Sequence, residues 1–229
     1  MAIKGVDISH WNGDIDFDKV KASGIEFVII KAGGSDRGFY TDPKFKTNYE
    51  KAKAAGLFVG AYYFVGKKFY GDLAGIADGK RFVDILKGMQ FEYPVYLDVE
   101  TTDVRYKELA TDAAIAFCKT LENAGYYVGI YASDISGFKE KLNHDRLIAY
   151  AHWVARYGKN PDVCKEGVIL QYSSKGAVDG IVGSVDLDRS SCDYSKYIIA
   201  GGFNGFKKTT TGKVSGKSQE SKKKKSEVK

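Results

Sequence analysis

The sequence predicts an α/β fold: an irregular TIM-like (β/α) barrel of eight strands with fewer outer helices. Strand-like and helix-like segments alternate through the first half of the chain, a pattern that builds a mostly parallel sheet. Eight strand candidates fall within residues 5–188, a density that suits a closed barrel better than an open sheet. No GxGxxG follows the first strand and no phosphate loop occurs, so the open doubly wound sheet is the second choice.

The elements come in order along the chain. "GVDIS" (5–9) reads as a short strand, and "DFDKVKASG" (16–24) as a short helix closed by Gly24. "IEFVIIKAG" (25–33) is a buried strand. "DPKFKTNYEKAKAAG" (42–56) is a helix with Pro43 in its first turn and Gly56 past its end. "LFVGAYYF" (57–64) is a strand, "DLAGIADGKRFVDILKG" (72–88) a helix, "YPVYLDVE" (93–100) a strand and "KELATDAAIAFCKTLENAG" (107–125) a helix. "YYVGIYAS" (126–133) is a strand, trailed by a shorter helical piece through "FKEKLN" (138–143). Three strands then come in close succession: "AHWVARYG" (151–158), "GVILQYSS" (167–174) and "GSVDLD" (183–188). The glycine-rich "KAGGSDRG" (31–38) lacks the Lys-Ser/Thr end of a Walker loop and reads as an ordinary connection. A barrel domain over 1–206 and a disordered basic tail over 207–229 are expected.

The net charge of +6 belongs to that tail, where Lys207 to Lys229 hold nine lysines and two glutamates. Residues 1–206 carry 26 basic and 27 acidic side chains, which removes the basic face a nucleic-acid binder needs. No window of 18 uncharged apolar residues exists, so no membrane span is expected. The start, "MAIKGVDISHW", lacks a basic n-region and an apolar h-region, so synthesis in the cytoplasm without a standard signal peptide is expected. Cys118, Cys164 and Cys192 form neither a metal-spaced pair nor an even disulfide framework. His10, His144 and His152 show no HxH or HExxH spacing, so neither a zinc site nor any cofactor is expected.

Polar residues cluster at strand ends, where parallel barrels keep their chemistry. On "YPVYLDVE", Val95, Leu97 and Val99 share one face, and Tyr96, Asp98 and Glu100 the other. Asp7 ends the first strand, Asp186 and Asp188 the last. Tyr62, Phe64, Tyr131, Trp153 and Gln171 stand near the ends of the strands between. Carboxyls crowded at one mouth hold at least one proton near neutrality, and two carboxyls of different protonation are the equipment for breaking a glycosidic bond. Taken singly, each has a plainer reading: acids cap helices or pair with lysines, and Tyr62, Tyr131 and Trp153 fill a core.

Eight motifs together go further. "GVDISHWNGDIDF", "FVIIKAG", "GLFVGAYYF", "YPVYLDVE", "GIYAS", "HWVARYG", "ILQYSS" and "VDLD" stand in the order found in glycoside hydrolase family 25, and the resemblance runs from Ile3 to Tyr197. It implies a lysozyme (N-acetylmuramidase), phage-endolysin-like, that cuts the β-1,4 bond between N-acetylmuramic acid and N-acetylglucosamine in bacterial peptidoglycan. By motif, Glu100 is implied as general acid and Asp98 as the group that orients the reacting centre. Asp7 and Asp186 complete the acidic cluster, with Asp186 expected as the inner partner of Asp7. Tyr62, Phe64, Tyr131, Trp153, Gln171 and Asp188 are implied around the sugar. Either the substrate's own N-acetyl oxygen or a carboxylate-activated water completes the reaction. The compartment is then the cell wall, reached after release from the cytoplasm or by a non-standard export route. The Lys-rich tail suits anionic wall polymers, and a monomer is expected. One departure stands out: where many members carry a glutamate in a "KATEG"-like loop, this chain has Gly33 and Gly34, with Asp36 nearby in a different register. Two other functions fit the same residues: a catalytically silent peptidoglycan-binding protein, and a phosphodiesterase with a divalent cation on Asp7, Asp98 and Glu100.

Overall fold

The computed structural model describes residues 2–164 and 168–208. The tail from residue 209 lies outside the described residues.

Among the described residues, nine strands and five α-helices run in order: β1 (Ile3–Ile8), α1 (Phe17–Ala22), β2 (Phe27–Gly34), β3 (Tyr40–Thr41), α2 (Phe45–Ala54), β4 (Phe58–Phe64), α3 (Gly71–Leu86), β5 (Val95–Asp98), α4 (Lys107–Asn123), β6 (Val128–Ser133), β7 (Ala151–Ala155), β8 (Ile169–Gly176), β9 (Val185–Ser190) and α5 (Tyr194–Gly201). The sheet closes on itself where β1 pairs with β2, and β3 is an edge strand on β2. The result is an eight-stranded α/β barrel, as the alternation predicted.

Strand alternation sorts side chains onto two sides of the barrel wall. One set, with Val28, Ile30, Val95, Leu97 and Ile130, packs outward with Phe82 of α3 and Phe117 of α4. The other, with Phe27, Ile29, Tyr62, Tyr96, Tyr131 and Trp153, fills the barrel. Such large rings fit inside only because small residues face them. A Cβ on Gly5 would lie 2.2 Å from the Phe27 ring, and one on Gly129 2.4 Å from the Tyr96 ring. Cys118 is buried in the outer set.

The last strand differs from expectation. It runs antiparallel to both β8 and β1, whereas the strands from β1 through β8, β3 aside, pair in parallel. The physical reason is the connection: a parallel return needs a crossover of about a dozen residues or more, and residues 177–184 are too few. The first residues of β9, not its last, therefore reach the barrel mouth.

Two elements had no sequence expectation. β3 is only two residues long. α5 plugs the end of the barrel opposite the mouth, where Tyr194 and Ile198 pack among the interior rings and Tyr194 meets Tyr93 at 5.9 Å. Asn204, buried at a positive φ of 54°, anchors the chain just after α5. Its amide donates to the carbonyls of Phe91 and Tyr93, and its oxygen accepts from the Tyr127 N–H.

Candidate active site

The mouth is assembled by register. Phe64, Asp98, Tyr131 and Trp153 align on the neighbouring strands β4 to β7. Asp98 is buried at 4% exposure, while Glu100, two residues on, opens to solvent. Across the barrel Asp7 pairs in register with Asp186, and Gly5 with Asp188. Because β9 is reversed, Asp188 lies one step deeper than Asp186. It is fully buried, whereas Asp186 is half-buried at the rim. The expectation that Asp186 is the inner acid is therefore corrected: Asp188 is the inner one.

Hydrogen bonds knit the floor together. The Gln171 amide donates to Asp7 Oδ2 at 2.8 Å. The hydroxyls of Tyr131 and Tyr157 both donate to Gln171 Oε1, at 3.0 and 2.9 Å. Trp153 Nε1 donates to Asp188 Oδ1 at 2.8 Å. Trp153, Gln171 and Asp188, at 1%, 2% and 0% exposure, form the buried floor of the mouth. Tyr62 and Tyr131 are also buried, each with a narrow edge exposed, and Phe64 is half-buried.

Among the described residues, Asp98 Oδ1 and Asp188 Oδ2 have no hydrogen-bond donor in reach. Each sits beside another carboxyl, Glu100 and Asp7 respectively, so each pair is satisfied when it shares a proton. Burial pushes Asp98 well above the usual carboxylate range, and the Glu100 charge adds to the rise. Glu100 is raised too, mainly by the protein crowding its carboxyl, with the hydrogen bond to Asp98 and then the Lys31 and Lys141 charges opposing. Burial lifts Asp7 well above its ordinary value, and Asp188 and Asp186 lift it further. Asp188 is pushed up to about 7, chiefly by burial. A site that holds protons near neutrality beside groups able to lose them is equipped to give a proton and take one back.

These raised values fix the direction of a pH effect on stability. A carboxyl whose folded-state pKa is raised binds its proton more tightly when folded, so its contribution falls as pH climbs from about 4 to about 7. Asp188→Asn keeps an acceptor for Trp153 and removes that titration. We expect its melting temperature to vary less between pH 5 and pH 8 than that of the unmodified chain, and to exceed it at pH 8. Equal pH slopes in thermal melts would show that Asp188 does not titrate as assigned.

Several groups at the mouth carried no sequence expectation. Lys31 shares the inward face of β2 with Phe27 and Ile29. Its ammonium lies 4.5 Å from the Phe64 ring centre and 5.7 Å from that of Tyr62, and it holds down the Asp98 and Glu100 values. Its signal was a lone cation ending the apolar run "FVII". Lys141 reaches the Glu100 backbone carbonyl. A cleft of about 600 Å³ opens beside Glu100, walled by Tyr131, Tyr157, Lys141, Arg156 and Lys159. Past the end of β1, Trp11 is 79% exposed against the His10 ring, and His10 Nδ1 pairs with Asp42 Oδ2 at 2.6 Å. The two glycines that end β2 also find a reason. A Cβ on Gly33 would lie 2.2 Å from the Tyr40 carbonyl oxygen, and one on Gly34 2.4 Å from that of Phe64. With β3 laid against β2, neither position has room for a glutamate. Asp36 lies by Tyr40, whose hydroxyl is pushed up by burial and further by the Asp36 carboxyl.

Among the described residues, the acids form no group whose ligand atoms converge as a metal site requires. The one such group of three or more is His144, His152 and Cys164. This geometry disfavours the phosphodiesterase reading of the mouth. The members of the His144, His152 and Cys164 group come from three separate segments, so no spacing rule on the sequence registers the group.

The comparisons with known proteins agree with this geometry. The family model described as Glycosyl hydrolases family 25 matches residues 6–181. The autolytic lysozyme of Clostridium acetobutylicum is 32% identical over 201 residues, 87% of this chain and 58% of that protein. The chain therefore spans less than two-thirds of that relative's length. The crystal structure of the CTP1L endolysin is 30% identical with a TM-score of 0.74, covering 86% of this chain and 69% of that one. The catalytic domain of endolysin ply40, from bacteriophage P40 of Listeria monocytogenes, is 25% identical with a TM-score of 0.70, covering 86% of this chain and 97% of that domain. A barrel with paired acids at its mouth, matched from its first strand to the approach to its last, belongs to family 25 of the glycosyl hydrolases.

Proposed function

We propose that this chain is an N-acetylmuramidase, cleaving the β-1,4 bond between N-acetylmuramic acid and N-acetylglucosamine in bacterial peptidoglycan. The observation that carries the proposal is the proton-sharing pair of Asp98 and Glu100 beside an aromatic-walled cleft in a family 25 barrel. Glu100, the member open to the cleft, protonates the oxygen of the leaving sugar as the glycosidic bond breaks. Asp98, beneath it, steadies the group that attacks the anomeric carbon.

The closeness of the pair supports a choice between the two routes left open. Two carboxyls that share the work of acid and nucleophile stand about 5–5.5 Å apart, and inverting pairs about 6.5–9.5 Å. Asp98 and Glu100 lie within hydrogen-bonding reach of each other, which leaves no space between them for a sugar carbon or a water. The nucleophile is then the substrate's own N-acetyl oxygen, with Asp98 holding the amide. It bonds to the anomeric carbon as the leaving oxygen takes the Glu100 proton. Water, losing a proton to the Glu100 carboxylate, then opens the cyclic intermediate.

Trp11, Tyr157 and the exposed edges of Tyr62 and Tyr131 supply apolar faces for sugar rings. Action on the wall after release from the cytoplasm, and attraction of the Lys-rich tail to anionic wall polymers, are part of the same proposal. They rest on the sequence alone.

Digestion of purified peptidoglycan tests the reading. We expect new reducing ends without new free amino groups. Free amines without reducing ends would indicate a peptide-bond hydrolase, and binding without either would return the silent binder.

A further inference from the structure

We propose that His144, His152 and Cys164 form a binding site for one Zn²⁺ ion, which ties the β7–β8 connection to the outer face of β7. The inference is independent of the cleavage reading, because the site lies on the other side of the barrel wall. Trp153 points into the barrel, and its neighbour His152 points out toward Phe138.

The ligand atoms of the three residues all lie within 4.8 Å of one another, and the two imidazole centres are 5.0 Å apart. His152 is buried, at 9% exposure, yet its Nε2 has no hydrogen-bond partner among the described residues. A buried polar atom left unmatched is costly, and on a ring grouped with a second imidazole and a thiol it points to a missing partner. Cys164 is a free, buried thiol.

The surroundings are built to hold these groups. The Phe138 ring meets His144 at 5.9 Å and His152 at 5.2 Å, both edge-on, and so fixes their planes. Fully buried Asp134 accepts the backbone N–H groups of Asp162 and Val163, at 2.8 and 2.9 Å. That clamp sets the position of the next residue, Cys164. His144 opens a short 3-10 turn (His144–Arg146) and lines a cleft of about 560 Å³ with Asp145 and Asp162. A water, or one of these carboxylates, takes the fourth position from that side.

The donor set selects the ion. Two imidazoles and a thiolate suit Zn²⁺, whereas Mg²⁺ and Ca²⁺ want oxygens. Tetrahedral bonds of about 2.1 Å to nitrogen and 2.3 Å to sulfur place ligand atoms about 3.6 Å apart, so binding closes each separation by about an ångström at most. The Cys164 proton passes to solvent as the metal–sulfur bond forms. The consequence is a staple on the segment that carries Tyr157 and Lys159 to the edge of the sugar cleft.

The test uses the full chain, stripped with chelator, loaded with ZnCl₂, dialysed and assayed for metal by mass spectrometry. We expect at least half an equivalent of zinc per chain, falling at least fivefold in both His144→Ala and Cys164→Ser and unchanged in Cys192→Ser. We also expect zinc near a hundred times its dissociation constant, but not Mg²⁺, to raise the melting temperature by about 5–10 °C. Both variants change single, partly accessible or small groups, and their folding is checked by circular dichroism. If either variant fails to fold, His144→Gln and Cys164→Ala replace it under the same criterion. Less than half an equivalent on the unmodified chain, or equal retention by the folded variants, overturns the site.

Discussion

Glu100→Gln is expected to lower the rate of glycan cleavage by about 10³-fold and to leave glycan affinity within a few-fold. Glutamine matches the shape of glutamate but has no proton of the right acidity to give the leaving oxygen. The substitution is clean because Glu100 opens to solvent and anchors nothing through its carboxylate except the contact with Asp98. Its folding should be intact, since a neutral amide beside Asp98 removes a repulsion that helps lift the Asp98 value. Initial rates of reducing-end release, with affinity measured on non-cleaved glycan, check the pair of outcomes. A loss confined to affinity would make Glu100 a binding group and move the acid elsewhere.

Trp153→Ala is expected to cost about 3–5 kcal/mol of stability, the range for removing a large buried aromatic. Three rings lean on it: Tyr131 at 4.4 Å, Tyr96 at 5.4 Å and Tyr62 at 5.8 Å. It also supplies the hydrogen bond to Asp188, and a buried carboxyl left without its donor adds to the cost. Trp153→Phe separates the two contributions, because phenylalanine fills much of the space and donates nothing. We expect it to cost about 1–3 kcal/mol and to push the Asp188 titration further up. Denaturant unfolding of the three chains decides it. If phenylalanine and tryptophan are equivalent, the Nε1 bond adds nothing to stability.

The fold was legible where physics writes a local pattern. Alternation on "YPVYLDVE" put Leu97 and Asp98 on opposite faces, and the structure keeps that division, with Leu97 in the outer packing and Asp98 in register with Tyr131 at the mouth. The reversal of β9 was legible only through the shortness of residues 177–184, and that length decides which of Asp186 and Asp188 lies deeper. α5 is a short helix, stabilised by the packing of Tyr194 and Ile198 rather than by its own propensity. The acids at strand ends showed in the sequence because a carboxylate closing an apolar run is conspicuous. Lys31 was equally conspicuous on "FVIIK", but its partners are rings and acids on other strands. The His144, His152 and Cys164 group had no local trace, because its geometry exists only after β7, the turn at 144–146 and the Asp134-clamped segment meet.

That this barrel breaks the muramyl bond of peptidoglycan through Glu100 and Asp98 is tested most directly by mass spectrometry of glycan fragments, reduced with borohydride after digestion. Reduced muramic acid is expected at the new ends, released by the unmodified chain and not by Glu100→Gln. Reduced glucosamine at those ends would contradict the assignment, placing the cut on the other glycosidic bond of the repeat.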